Sequence, residues 1–304
     1  DEIDIGNISH VVFAGMGGSG AMNDIFSAIL SKTNIHVDVV KGYSLPKTVD
    51  TESLVVTTSV SGNTEETLRI LSDANNLKCK VVAFSDNGKM EKYCQKNGLI
   101  HRKIPMKHSP RASFPVFLYS MLNILEPFLP IEKKDISDSI KKMEKQKEII
   151  SSNNLNENNT SLALAEWITD IPMIYYPWGL QAAAIRFKNS LQENAKTHAM
   201  VEDVVEASHN GIVAWEKKSK IFPILLQGHD DNAKTEERWG IFKTFFDNNK
   251  INYKEIVSIK GDILSKLIHL MYLLDYTSIY KAVLSEIDPT PVKSIDFIKS
   301  RLES

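Results

Sequence analysis

Short apolar runs rich in β-branched residues alternate with helix-period stretches along the chain. Val11-Val12-Phe13-Ala14 is the first run, and a helical pattern through Ile25, Phe26, Ile29 and Leu30 follows it. Val37–Val40, Leu54–Thr58, Lys80–Phe84 and His101–Pro105 continue as predicted strands, with helices near Glu65–Leu77 and Lys89–Asn97 between them. An apolar helix over Val116–Leu125 closes this half. Strands that are apolar throughout, rather than alternating, belong to parallel sheets covered on both faces. Lys133–Ile150 is charged and helix-favouring, and the polar Ser151–Asn159 run follows, so this stretch is expected to connect two domains. The pattern then resumes. A helix at Leu162–Ile168, a strand at Pro172–Tyr176, the turn Pro177-Trp178-Gly179 and a helix from Leu180 come first. Strands near Lys220–Leu226 and Tyr253–Val257 then alternate with helices near Thr235–Asn248 and Ile263–Leu284. A final amphipathic helix follows the breaker Asp288-Pro289-Thr290-Pro291. The expected organisation is a doubly wound α/β domain over 1–132, a helical connection over 133–158 and a second such domain over 159–304.

Two turns add chemistry to this pattern. After the first strand, Gly15-Met16-Gly17-Gly18-Ser19-Gly20 fits the G-x-G-x-x-G form that admits a pyrophosphate or a single phosphate at a helix N-terminus. After the third, Ser59-Val60-Ser61-Gly62-Asn63-Thr64-Glu65-Glu66-Thr67 packs three hydroxyls around one glycine where a helix begins. Unpaired N–H groups and the positive helix end there suit an anion, and Gly62 would let the backbone approach it. A simpler reading makes Asn63 a helix cap, with Glu66 completing a capping-box-like pair. Capping explains those two residues but not the hydroxyls. Both turns end strands, where ligands of parallel sheets bind, so their convergence on one phosphate is expected.

Other candidates are weaker by themselves. Arg111, in Ser109-Pro110-Arg111, precedes an apolar helix and is either a solvated loop residue or a guanidinium held for an anion. Arg186, Asn189, Glu193 and Lys196 fall near one face of the helix after Gly179. His209 lies in an expected loop, where an imidazole can serve as an acid or base, and Lys299 is by default a surface lysine. A nicotinamide enzyme would need an acid after the second strand to hold a ribose; Asp38 has the spacing but lies inside that strand.

Composition narrows the classes. The chain has 304 residues, 42% hydrophobic and 24% charged, with a formal net charge of −2. That balance gives no pull toward nucleic acid or an anionic membrane, and no run approaches the ~20 apolar residues of a membrane span. The acidic start Asp1-Glu2-Ile3-Asp4 lacks the basic and apolar regions of a signal peptide, so a cytoplasmic protein is expected. Cys79 and Cys94, expected on a strand and a helix, are too few for a disulfide framework. Without secretory context, the triplets Asn158-Asn159-Thr160 and Asn159-Thr160-Ser161 are read as chance.

Gly15 to Gly20, Ser59 to Thr64, Ser109-Pro110-Arg111, Glu193-Asn194-Ala195-Lys196, His209-Asn210 and Asp288-Pro289-Thr290-Pro291 occur in this order. Together they resemble the archaeal-type bifunctional phosphoglucose/phosphomannose isomerases, built from two sugar-isomerase (SIS) domains of flavodoxin-like, doubly wound form. The resemblance runs almost from end to end. It implies a homodimer with shared active sites and no metal or organic cofactor. It implies that Gly18, Ser19, Ser59, Ser61 and Thr64 hold the sugar phosphate, that Glu193 moves a proton between C1 and C2, and that Arg111 stabilises the enediolate. His209, from the partner subunit, would assist ring opening, with Lys299 helping. The family's threonine linked to accepting both epimers falls on Thr290 or Val292. The expected activity is interconversion of glucose 6-phosphate, and mannose 6-phosphate, with fructose 6-phosphate in glycolysis and gluconeogenesis. A non-catalytic SIS sensor of sugar phosphates and an NAD-dependent oxidoreductase are the rivals.

Overall fold

The computed structural model describes residues 8–302, so the acidic start read above lies outside the described residues. The chain divides into two compact units, Asp1–Ser137 and Asp138–Ser304.

The first unit runs β1 (His10–Ala14), α1 (Gly17–Leu30), β2 (His36–Val40), β3 (Leu54–Thr58), α2 (Glu65–Asn76), β4 (Lys80–Ser85), α3 (Gly88–Asn97), β5 (Ile100–Lys103) and α4 (Phe114–Leu125). Its sheet has the order β2-β1-β3-β4-β5, with every pair parallel. The apolar runs become the central strands: every residue of β1 and β3 is buried, whereas edge strands β2 and β5 carry the polar His36, Asp38, His101 and Arg102. Phe13 of β1 stacks on Phe26 of α1 at 5.2 Å, and burying each ring contributes roughly 2–3 kcal/mol. β5 ends at Lys103, two residues before the expected Pro105, because proline has no N–H for the ladder. Cys79 lies just before β4 rather than on it and Cys94 lies on α3; both are free, and burial pushes both thiols up, Cys94 to about 11.

α5 (Lys133–Ile150) leads into the second unit. There Lys142 Nζ donates to Ser265 Oγ at 3.0 Å and the Tyr280 hydroxyl to the Ile150 carbonyl at 2.7 Å. The order continues α6 (Thr160–Trp167), β6 (Ile171–Tyr176), α7 (Gln181–Asn194), β7 (Met200–Asp203), α8 (Val204–Ala207), β8 (Ile221–Gln227), α9 (Ala233–Asn248), β9 (Lys254–Val257), α10 (Ile263–Leu284) and α11 (Lys293–Leu302). The second sheet, β7-β6-β8-β9, is also parallel throughout. β7 was not among the expected strands: Met200-Val201-Glu202-Asp203 is a short, half-polar edge strand with no apolar run to betray it. Asn159 is fully buried; its side chain caps α6 by accepting from Leu162 N–H and donates to the Asn154 carbonyl, which gives the glycosylation-like triplet a structural reason.

Candidate active site

In the first sheet the chain winds from β1 outward to β2 and then returns to β3 on the other side, so strand order reverses between β1 and β3. Such a switch point leaves a crevice beyond the strands' C-terminal ends. The glycine turn follows β1 and the Ser59 turn follows β3, so the topology puts both expected phosphate loops there. Gly15 sits so close to β3 that a Cβ would approach the Thr58 carbonyl oxygen to 2.8 Å. Gly17 opens α1 with φ +54, a conformation that favours glycine, and Ser19 is buried in the first turn. Among the described residues, no side chain caps α1 or α2, so no side chain competes with an anion for their terminal N–H groups; the Ser19 N–H donates to the Met16 carbonyl at 3.0 Å.

The Ser59 loop is ordered by its own hydroxyls. Ser59 Oγ lies 2.9 Å from Thr64 Oγ1 and accepts from the Thr64 N–H, while Ser61 Oγ accepts from the Asn63 N–H at 3.3 Å. Thr64, not Asn63, is the N-cap residue. Asn63 instead donates to the Ser61 carbonyl and accepts from the Lys89 N–H at 3.0 Å, tying the loop to the start of α3. Glu66 faces the Tyr43 hydroxyl. The capping-box reading is therefore replaced by a bridge between two strand-end loops. Gly62 also has a different reason from the one expected. It adopts φ +68, and a Cβ there would run into the carbonyl of Asn87, so its smallness serves packing between loops rather than the approach of a ligand.

Arg111 is half-buried in the loop between β5 and α4, also beyond the C-terminal edge. Ser113, fully buried, holds that loop closed by donating to the carbonyls of Lys107 and Ser109 and accepting from the Lys107 N–H at 2.8 Å. α4 then passes beneath the crevice, where Thr58 Oγ1 meets Met121 Sδ at 3.8 Å. One residue escaped the sequence reading. Asn23 of α1 is fully buried beside Gly15, with neither amide atom hydrogen-bonded among the described residues. A buried polar group normally has a partner, so Asn23, beside the strand-end Gly15, is an exception among the polar side chains of α1. A lone asparagine in a helical pattern carries no such signal.

In the second unit, α7 leaves β6 at the C-terminal edge and runs back to the N-terminal edge, where β7 begins. Arg186 does not belong to the candidate site. It is buried, and its guanidinium donates through Nε to Asp275 Oδ2 at 3.0 Å, while Ser190 donates to the same carboxylate at 2.8 Å. Asn194 donates to Ser278 Oγ at 2.9 Å, completing a polar seam to α10. Glu193, half-buried, is on the last turn of α7. Lys196 Nζ donates to the carbonyls of both Glu193 and Pro291, at 2.5 and 2.8 Å. That lysine joins the end of α7 to the loop carrying the exposed Thr290 and the half-buried Val292. Lys299 is exposed on α11. His209 lies elsewhere: it is exposed, beyond α8 and the C-terminal end of β7. Within the unit, the length of β7, roughly 10 Å, separates the levels of Glu193 and His209.

The geometry gives the ribose-binding reading little to stand on. His10 Nε2 lies 2.9 Å from Asp38 Oδ2 within the sheet, and Lys41, after β2, pairs with Asp24 at 2.6 Å. Among the described residues no helix is long and apolar enough to cross a membrane.

Residues 157–302 match the family described as the bacterial phospho-glucose isomerase C-terminal SIS domain. A bifunctional phosphoglucose/phosphomannose isomerase of Caldicellulosiruptor bescii is 32% identical, over 97% of this chain and 90% of the relative. The protein of that name from Aquifex aeolicus is 30% identical over 96% and 90%. Among solved structures, a hypothetical protein from Thermus thermophilus shares the fold with a TM-score of 0.77 at 15% identity, covering 97% of this chain and 83% of that one. Identity at the level of the first two over nearly the whole length fixes descent: the chain belongs to the bifunctional phosphoglucose/phosphomannose isomerase family.

Proposed function

We propose that the chain is an aldose–ketose isomerase that interconverts glucose 6-phosphate and mannose 6-phosphate with fructose 6-phosphate through a cis-enediolate. The observation that carries this reading is the near-complete match to relatives of that name. The crevice at the β1–β3 switch point, with two uncapped helix N-termini and the hydroxyls of Ser59, Ser61 and Thr64, supports it. In this reading Gly18, Ser19, Ser59, Ser61 and Thr64 hold the phosphate, which turns remote binding energy into orientation of C1 and C2. Glu193 takes the C2 proton of the open-chain aldose and returns it to C1. The enediolate charge that develops between these steps is stabilised by Arg111. His209 assists ring opening, with Lys299 helping, and Thr290 or Val292 shapes the space beside C2. The reaction is a net proton and hydrogen relocation, in keeping with the expectation that no cofactor takes part.

The separation of Glu193 from His209 within one unit supports His209 coming from a second copy, hence a homodimer. The exposed Phe297 and Ile298 of α11, about 60% accessible, are an apolar face such a copy would cover. We place the protein in the cytoplasm. A coupled assay of fructose 6-phosphate formation tests the activity: Glu193→Gln should lose at least about 1,000-fold in kcat while still binding substrate. Mixing inactive Glu193→Gln and His209→Ala proteins should restore turnover, because one site of each hybrid dimer is then intact. Substrate binding with wild-type turnover absent throughout would instead identify a sugar-phosphate sensor.

A further inference from the structure

The first sheet carries a second cluster of chemically able side chains, at the edge opposite the crevice. His10 begins β1 and His36 begins β2, and the strand register pairs them directly across the ladder. Asp38 is two residues along β2, so its side chain emerges on the same face as His36. The two imidazoles point their Nε2 atoms at one carboxylate oxygen: His10 Nε2 is 2.9 Å and His36 Nε2 3.3 Å from Asp38 Oδ2. One potential ligand atom from each residue lies within 4.8 Å of the others.

We propose that His10, His36 and Asp38 form a binding site for a divalent transition cation of the zinc class. A tetrahedral ion with bonds of 2.0–2.1 Å needs ligand atoms about 3.3 Å apart, and two of the three edges already have nearly that length. Closing the third requires only His36 to swing, and it is the exposed member, with 63% of its side chain accessible. The inner histidine is held the way metal-bound histidines are held. His10 Nδ1 lies 3.3 Å from Ser53 Oγ, and that hydroxyl donates to Asp50 Oδ1 at 2.9 Å. A hydroxyl–carboxylate relay on one ring nitrogen fixes the ring and leaves Nε2 for the ion. The backbone is fixed too, since the His36 N–H donates to the Ser9 carbonyl at 2.7 Å. Two imidazoles and one carboxylate favour zinc-class ions over calcium or magnesium, which prefer all-oxygen shells.

β1 is five residues long, so the cluster lies roughly 13 Å from the glycine turn, too far to touch a ligand in the crevice. The ion would act as a clip between the edge strand and its neighbour. Titration of the untagged full chain with Co²⁺ tests this through its visible ligand-field bands, with Zn²⁺ as competitor and melting temperature as a second readout. The expected result is one saturable, Zn²⁺-competed ion per chain that raises the melting temperature. His36→Ala and Asp38→Asn should each weaken it at least about tenfold while leaving the far-ultraviolet circular dichroism unchanged. Absence of saturable uptake, or uptake that both variants retain, overturns the site.

Discussion

The two units use the same fold and treat their helix N-termini in opposite ways. In the first, α1, α2, α3 and α4 start without a side-chain cap. In the second, Asn159, Asp203, Asn232 and Asp262 cap α6, α8, α9 and α10 with their own oxygens. A terminus whose N–H groups are satisfied internally has less to offer an anion. In the proposed reading, this difference is why the first sheet, with both α1 and α2 uncapped at its reversal, holds the phosphate, whereas the second sheet has α7 open and α9 capped there. The first unit keeps its donors open at the switch point, and the second commits most of its donors to stability. α7, which follows β6 at that sheet's own reversal, is uncapped at Leu180 and is the helix that carries Glu193.

The contrast can be broken most forcefully at the strand-end glycines. Gly62→Ala places a methyl against the Asn87 carbonyl at φ +68, and a loss of about 4 kcal/mol or more is expected in thermal or denaturant unfolding. Gly179, in the β6–α7 turn of the second unit, has φ +96 but nothing nearer than 3.9 Å, so Gly179→Ala should cost only about 1–2 kcal/mol. Equal losses would erase the distinction between a turn locked by its neighbour and one that is merely tight. Next in size is the seam beneath Glu193. Arg186→Ala leaves Asp275 without its buried partner, and about 3 kcal/mol of stability should go with it.

One pH dependence can be traced to a single group of the second unit. Burial, with a smaller effect of the nearby Lys142 charge, pushes His269 from 6.5 down to about 4. Above pH 6.5 the imidazole is neutral in folded and unfolded chains and contributes nothing to the difference. As pH falls, the unfolded chain binds the proton first, so stability declines until about pH 4. Over that range the loss should approach roughly 3 kcal/mol, and urea melts of His269→Gln should lack most of it. The smallest effects sharpen the comparison itself. Asp262→Ala removes a working cap and should cost about 1 kcal/mol without altering KM. Thr64→Ala removes no cap; less than about 1 kcal/mol of stability and a several-fold rise in KM for the sugar phosphate are expected.

Much of this was legible in the chain. The burial of β1 and β3 and the bounds of α10, Ile263–Leu284, follow from apolar periodicity, which is a local property. The two hydroxyl- and glycine-rich turns stand out for the same reason, since strand, turn and helix start are contiguous. β7 was invisible because an edge strand needs no apolar run, and Arg186 looked like part of a functional face because its partner, Asp275, is 89 residues away. Asn63 read as a cap, since local rules cannot know that the start of α3 would claim its side chain.

By itself the sequence determined the α/β class, the order of strands and helices apart from β7 and α8, both phosphate-loop candidates and the family resemblance. Only the tertiary structure decided that Gly62 answers to Asn87, that Asn23 is buried beside Gly15, that His10, His36 and Asp38 meet, and that Glu193 and His209 lie at opposite edges of one sheet. The reason is physical. Periodicity and turn chemistry act over a few residues, whereas strand order and register set which distant side chains share an edge.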